Sequence, residues 1–142
     1  MTIFVQVNTR SKTPIWEQIV NQIKELVLKE MLRSGDKIPS VRELASILLV
    51  NPNTVSKAYQ ELERQGIIET FRGRGTFVCK QLMGTVDSKK REEFRNTLKQ
   101  MIIEGSYLGL TTEDLINLVN EIEEELGGKI HDRGKSAQKS NE

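Results

Sequence analysis

The stretch from residue 39 to residue 78 constrains the fold more than any other part of the chain, because it contains two sharply marked helix starts. Ser40 and Glu43 form an S-x-x-E capping box, in which each side chain satisfies the other's free backbone N–H. Asn51 is a favoured N-cap residue, and Pro52 suits the first helical position, where no N–H is needed. The sequence therefore predicts two short helices joined by a tight turn, the second ending near Gly66.

The segment that follows these helices predicts a β-hairpin. Residues 67–71 have the composition of a strand, residues 72–75 are the turn R-G-R-G, and residues 76–79 form the return strand. Glycine permits the positive φ values that tight turns need. Two short helices followed by a hairpin are typical of a winged helix-turn-helix, which places its second helix in the DNA major groove. Double-stranded DNA is therefore the expected partner.

A first helix precedes this motif, and two more follow it. Apolar residues at helical spacing predict the first helix over about residues 14–32, and the predicted inward face includes Met31. Residues 3–7 predict a brief strand or arm before it. A fourth helix is predicted from Asp87 or Ser88 to about Glu104, with Gly105 to Leu110 as a loop. A fifth helix then begins at Thr111 or Thr112, with Leu115, Leu118, Val119, Ile122 and Leu126 predicted to point inward.

The expected fold class is mainly α with a small β-hairpin. We expect a winged helix-turn-helix domain over residues 9–79, a helical dimerisation region over residues 80–128, and a disordered tail over residues 129–142. Two helices of about 15 residues cannot bury a stable core alone. Self-association of the tail into a homodimer is therefore predicted, and this would create a two-fold DNA site.

Composition and charge narrow the class of protein. The net charge of +1 hides an asymmetry, because residues 1–80 hold 12 Lys/Arg against 8 Asp/Glu and residues 81–142 hold 9 against 12. The basic half contains the predicted motif, as phosphate contact requires. Six acids and no base occur in residues 113–125. This pattern favours a solvated helix face over a metal site or a site for a basic partner.

Other sequence features argue against an enzyme, a cofactor or a membrane span. The single cysteine, Cys79, excludes an internal disulfide and a cysteine zinc cluster, and the one histidine, His131, has no visible catalytic partner. No phosphate loop or dinucleotide fingerprint is present. No apolar run approaches the roughly 20 residues of a membrane helix, and the N-terminus has no signal peptide pattern. A cytoplasmic location is expected.

Several motifs in order support a family resemblance. The runs I-P-S-V-R-E-L-A, V-N-P-N-T-V-S-K-A-Y-Q-E-L and G-I-I-E-T-F-R-G-R-G-T-F-V resemble the GntR family of bacterial transcription regulators, as does the opening T-P-I-W-E-Q-I. The resemblance covers about residues 9–79. The short tail is similar to that of the YtrA-type subfamily, whose members carry a helical dimerisation tail. The resemblance implies a transcription regulator, with repression the favoured mode, acting on a nearby operon that often encodes a membrane transporter.

The first turns of the third helix contain the residues expected in the major groove, namely Asn51, Asn53, Thr54, Ser56 and Lys57. Asn can offer a donor and an acceptor to adenine, and Thr a hydroxyl or a methyl group. Asn51 could instead serve only as the cap. The family resemblance implies that the arginine of R-E-L, here Arg42, also contacts DNA. Its alternative is a surface arginine paired with Glu43 or Glu61.

The hairpin turn is the second predicted contact. Arg72, Gly73, Arg74 and Gly75 form its tip, where glycine allows close approach and arginine suits a narrow minor groove. Thr76 is predicted to bind phosphate through its hydroxyl. The alternative is an ordinary hairpin with two solvated arginines.

Three further features stay open at this stage. Arg10 and Lys12 could reach phosphates or belong to a mobile arm, and Tyr59 is expected in the core with its hydroxyl reaching the surface. A winged-helix module that binds proteins and not DNA is the main alternative function. An unidentified small-molecule effector is compatible with the sequence, but no pocket for one can be named.

Overall fold

The computed structural model of the protein describes residues 5–79 and 87–127. These residues belong to two units, Met1–Leu82 and Met83–Glu142. The predicted disordered tail over residues 129–142 lies outside the described residues. Within the described ranges, no helix is both long enough and apolar enough to cross a membrane.

The first unit is a winged helix-turn-helix, as predicted. Its elements are α1 Ile15–Leu28, β1 Lys37–Ile38, α2 Val41–Leu48, α3 Pro52–Arg64, β2 Ile68–Phe71 and β3 Gly75–Val78. The antiparallel sheet has the order β1-β3-β2, with Lys37 opposite Phe77 and Ile68 opposite Val78. The two-stranded hairpin prediction missed β1. A two-residue strand has no periodicity, and it exists only because β3 supplies its hydrogen-bonding partner.

The predicted helix starts are confirmed, although among the described residues the Ser40–Glu43 pair shows only one of the two hydrogen bonds of a capping box. The backbone N–H of Glu43 donates to Ser40 Oγ (3.1 Å), and the N–H of Asn53 donates to Asn51 Oδ1 (2.8 Å). Pro52 occupies the first turn of α3. Gly66 follows that helix with a φ of 74°. These starts set where the turn lies between α2 and α3.

Helix α1 ends at Leu28, earlier than the predicted residue 32. The backbone leaves the helix at Glu30, which has a φ of 59°, and the Leu26 carbonyl accepts from the N–H groups of both Met31 and Leu32. Met31 was wrongly predicted to face inward, since it is 58% exposed, and Leu32 is buried instead. Residues predicted as the last helical turn therefore form a loop towards the sheet.

The core of this unit lies between the three helices and the sheet. Its fully buried side chains include Ile19, Ile23, Ile38, Leu44, Val55, Leu62, Ile68 and Val78. Tyr59 belongs to the core as predicted, but its hydroxyl donates to the Pro39 carbonyl (2.6 Å). This bond ties α3 to the segment before α2. Burial, with a smaller contribution from Glu43, raises the Tyr59 pKa well above its usual value, so the phenol stays protonated.

The segment before α1 is an arm and not a strand. Gln22 binds both backbone polar groups of Gln6, and Val5 is buried in the core. Gln18 accepts from the N–H of Asn8 (2.8 Å) and donates to the carbonyls of Asn8 (3.0 Å) and Thr13 (2.8 Å). Two glutamines one turn apart thus bind the arm along α1 at Gln6, Asn8 and Thr13.

The second unit contains α4 Ser88–Tyr107 and α5 Thr112–Glu125. Of the two predicted starts of α5, Thr111 is the N-cap; it forms a capping box with Asp114, and the hydrogen bonds of this box lower the Asp114 pKa. The predicted loop from Gly105 was wrong at its start, because α4 continues through Gly105. That residue is buried where the two helices meet, and a Cβ built on it would lie 3.4 Å from Leu115 Cδ2.

The predicted inward faces of the two tail helices are largely exposed. Leu115 is half-buried, but Val119 is 62% exposed. Other exposed apolar side chains in this unit include Phe94, Leu98, Met101, Ile102, Ile103, Tyr107, Leu108, Ile116, Leu118 and Ile122. The apolar periodicity identified the helices correctly, but within the described residues their faces do not close into a core.

Candidate nucleic-acid interface

Helix α3 presents one polar face outward. Val55, Ala58, Tyr59 and Leu62 are its buried residues, and at about 100° per residue the opposite side passes through Asn53, Ser56, Lys57 and Gln60. Asn53, Lys57 and Gln60 are exposed, whereas Ser56 and Thr54 are half-buried. Asn51 caps the helix with its side-chain oxygen, which leaves the amide NH₂ to donate elsewhere.

Gln60 is a candidate that the sequence interpretation missed. It lies seven residues after Asn53, two helical turns along the same face, and its amide has the donor and acceptor that suit adenine. The prediction stopped at the first turns of the helix. The spacing of seven residues was the available signal.

The hairpin and α3 line a common groove. This open groove of about 640 Å³ is bounded by the start of α2, by Ser56 and Gln60 of α3, and by residues 70–76. Glu43 and Glu63 also line it. The tip of the wing and the polar face of α3 therefore adjoin, which is the arrangement that a major-groove reader with a flanking wing needs.

The turn of the hairpin depends on its glycines. Gly73 has a φ of 81° and Gly75 a φ of 115°, values that side chains with a Cβ rarely adopt. A Cβ at Gly75 would also lie 2.8 Å from Lys37 Cε. Arg72 and Arg74 are exposed on either side of Gly73. The turn thus exposes two guanidinium groups, and the glycines between and after them leave the backbone open to close approach by a ligand.

Thr76 is placed differently from the prediction. It is only 6% exposed, and its Oγ1 lies 3.1 Å from Thr70 Oγ1 across the hairpin. The hydroxyl therefore joins β2 to β3 at the edge of the groove that Thr76 helps to line, and its contact with phosphate stays a prediction. Alternation along β3 explains this, because Thr76 and Val78 point to the buried face of the sheet.

Arg42 lies exposed in the first turn of α2, and its predicted surface partners do not hold it. Glu61 is bound by Arg64, whose Nε lies 2.9 Å from Glu61 Oε2. Hydrogen bonds from Arg64 and Gln65 lower the Glu61 pKa to about 2. Within residues 5–79 and 87–127, Arg42 forms no salt bridge with Glu43 either. The guanidinium is therefore available to a ligand.

The remaining polar groups suggest no other chemistry. Cys79 is half-buried, and burial is the main cause that raises the pKa of its thiol, so it is a poor nucleophile. In the described part of the chain, no three His, Cys, Asp or Glu side chains are grouped as metal ligands. His131 lies outside that part.

The fold and this surface define the class: a winged helix-turn-helix protein with a polar recognition helix and an arginine-tipped wing. Residues 15–78 match the model of the bacterial regulatory proteins, gntR family. The chain is 51% identical to the HTH-type transcriptional repressor YtrA of Bacillus subtilis, over 90% of this chain and 99% of that protein. The chain belongs to the GntR family and is a DNA-binding transcriptional regulator.

Solved structures agree with this assignment. A crystal structure from Listeria monocytogenes EGD-e, described as a transcriptional antiterminator, is 48% identical with a TM-score of 0.80, covering 88% of this chain and 92% of that one. YtrA from Sulfolobus acidocaldarius, described as a GntR-family transcription factor, is 39% identical with a TM-score of 0.56, covering 72% and 97%. The predicted family resemblance and fold class are thereby confirmed.

Proposed function

We propose that the protein is a cytoplasmic, non-enzymatic repressor that binds an inverted-repeat operator as a homodimer. The observation that carries the proposal is the groove shared by Ser56 and Gln60 of α3 and the wing tip. A single duplex can meet both elements only if they adjoin on one outward surface, as they do here. The 51% identity to a protein named as a repressor supports the sign of regulation.

The proposed contacts divide by chemistry. Asn53, Thr54, Ser56 and the newly identified Gln60 carry neutral hydrogen-bonding groups and are assigned to base edges or nearby phosphates. Asn51 caps α3 and offers its amide NH₂ to the same surface. Thr76 is assigned to the hydrogen bond with Thr70 that joins the two strands of the hairpin.

The charged contacts and the turn glycines complete the proposed surface. Arg42 and Lys57 are assigned to phosphates flanking the recognition helix. Arg72 and Arg74 are assigned to the backbone or minor groove beside it, with Gly73 and Gly75 allowing close approach.

The tail supplies the proposed dimer contact. An apolar groove of about 610 Å³ lies between α4 and α5, lined by residues such as Leu98, Met101, Leu115 and Val119. Exposed apolar groups of this extent mark an interaction surface. A second copy is the proposed occupant.

The charges of the two helices favour a second copy over another partner. Helix α4 carries five basic residues and three acidic ones. Residues 113–125, which lie in α5, carry six acidic residues and no basic one. Each copy thus offers a basic helix and an acidic helix to the other. A small-molecule effector, if one acts on this protein, would change the spacing of the two recognition helices through this contact.

Repression follows from the size of such a dimer. A compact protein held on a promoter competes with polymerase for the same duplex without further components. A winged-helix module that binds only proteins is the alternative, and it would have no need for the exposed Arg72 and Arg74 beside a polar helix face.

The test is selection of duplexes from a fragmented native genome by the full-length protein, followed by affinity measurement across salt. We expect enrichment of inverted repeats, and log affinity falling linearly with log salt concentration. Random duplex is the control for non-specific binding, and single-stranded RNA tests the activity suggested by the description of the Listeria relative. Equal affinity for all duplexes would contradict the proposal. Sedimentation of a monomer with and without DNA would contradict the dimer.

A further inference from the structure

One contact of the recognition helix lies outside the groove shared with the wing. Lys57 Nζ lies 4.6 Å from the centroid of the Trp16 ring. Trp16 is half-buried in the first turn of α1 and packs against the core, whereas Lys57 is exposed on α3. The electron-rich face of an indole attracts an ammonium group. The rigid ring therefore holds the flexible lysine towards the start of α1.

This contact gives α3 two distinct edges. Ser56 and Gln60 line the groove on the wing edge. On the other edge, Lys24 of α1 donates to Gln65 near the end of α3 (2.8 Å), so α1 runs beside the edge to which Lys57 is drawn. Asn53 lies between the two edges on the helical face. The polar face of α3 is thus flanked by the wing on one side and by α1 on the other.

The α1 edge is ordered and positively charged. Gln18 holds the arm through Asn8 and Thr13, and this arm carries Arg10 and Lys12 just before Trp16. Glu17 is the one acid in the first turn of α1. Arg10, Lys12 and Lys57 are thus three basic residues at the start of this edge, against the single acidic residue Glu17. Such a balance suits the backbone of a nucleic acid.

We propose that Trp16 is a positioning residue that holds Lys57 as a contact to backbone phosphate on the α1 side of the recognition helix. The contact with Trp16 places the Lys57 ammonium group at the α1 side of α3. It is therefore kept away from the base edges that Asn53 is proposed to contact. Its compact charge suits a phosphate, which needs no bidentate geometry. The proposal rests on the proposed DNA-binding function and assigns Lys57 to affinity and not to sequence discrimination.

The first experiment measures affinity for a duplex that the wild type selects from a randomised library and for random duplex, from about 50 to 200 mM salt. Lys57→Gln should weaken both by the same factor and reduce the slope of log affinity against log salt by about 0.9 per subunit, or about 1.8 for the proposed dimer. Lys24→Gln, which removes another exposed lysine, bound to Gln65, is the matched control and should leave the slope unchanged.

The second experiment tests the ring. Trp16→Leu should weaken binding about two- to fivefold per subunit, the range of an exposed cation–π contact, or about 5- to 25-fold for the proposed dimer, and Trp16→Phe should retain most of the affinity. In a Lys57→Gln background, Trp16→Leu should have no further effect on affinity. Thermal melting of each variant shows whether the fold is intact, and Trp16→Phe remains informative if Trp16→Leu unfolds.

Three results would overturn the proposal. If Lys57→Gln weakened only the selected duplex, the lysine would be a base contact. If Trp16→Leu and Trp16→Phe weakened binding equally with and without Lys57, the indole would have a structural role alone. A wild-type protein without sequence preference or salt dependence would refute the proposed function along with this inference, whereas the first two results would leave that function intact.

Discussion

The two units of the chain use the same kind of apolar helix in opposite ways. In residues 5–79, the apolar faces of α1, α2 and α3 meet one another and the sheet, and the buried apolar core found among the described residues lies in this range. In residues 87–127, α4 and α5 bury only Gly105, and side chains such as Met101 and Ile122 stay exposed. The helices of the winged unit cover one another's apolar faces, whereas the apolar faces of α4 and α5 stay largely exposed.

The difference shows that helical periodicity predicts which face is apolar but not what covers it. Three helices and a sheet can surround a common centre, and two helices cannot. The stability of the winged unit should therefore be independent of protein concentration, whereas the tail should be ordered by association. Substitutions in each unit can test this contrast.

The largest effect is expected in the tail. The double variant Ile102→Asp, Val119→Asp places two charges on the apolar faces and should abolish the dimer. Because two linked sites bind more tightly than either alone, operator affinity should fall by about 100-fold or more. Sedimentation and gel shifts measure the two effects. Asn96→Asp, an added charge at an exposed polar position of α4, is the control and should change neither. An intact dimer in the double variant would place the interface elsewhere.

A core substitution in the winged unit should instead change stability at every concentration. Leu62 is fully buried on α3, and Leu62→Ala should lower the free energy of unfolding of this unit by about 2–5 kcal/mol. Chemical denaturation at two protein concentrations should give the same loss. Glu63→Ala, at the adjacent exposed position, should cost far less. A loss that depended on concentration would contradict the independence of this unit.

The DNA-binding surface of the winged unit should respond in two separable ways. Arg72→Ala with Arg74→Ala should weaken binding to all duplexes and reduce the salt dependence. Asn53→Ala or Gln60→Ala should reduce discrimination between selected and random duplex by about 1–3 kcal/mol. Competition binding against both duplexes separates these effects. If Gln60→Ala left the discrimination between selected and random duplex unchanged, Gln60 would not be a base contact.

The smallest effect concerns the turn between α2 and α3. Leu49 adopts a φ of 57° while its side chain is 91% exposed, so it has a strained backbone and little packing to offset it. Leu49→Gly should relieve the strain and stabilise the unit by about 0.5 kcal/mol after the entropy cost of glycine. Leu49→Ala shortens the side chain but keeps a Cβ, and thermal melting should show no gain. A lower melting temperature for the glycine variant would contradict the strain argument.

The parts of the structure that sequence analysis predicted correctly depend on neighbours in the chain. Ser40 with Glu43, Asn51 with Pro52, and the glycines of the hairpin turn act within a few residues, so their patterns are visible in one dimension. Other features were decided by a distant partner. β1 exists because of β3, and Thr76 is turned inward by the register of the sheet.

The same distinction applies to the interface. The sequence alone determined the order of helices and hairpin and the chemical types of the groups offered to DNA, because caps, turns and periodicity are local properties. Only the tertiary structure placed Gln60 beside the wing, held the arm through Gln18 and Gln22, and brought Lys57 over Trp16. These contacts join residues that are separated in the chain, and tertiary packing, such as that of α1 against α3 for Lys57 and Trp16, sets their distances, which no local pattern encodes.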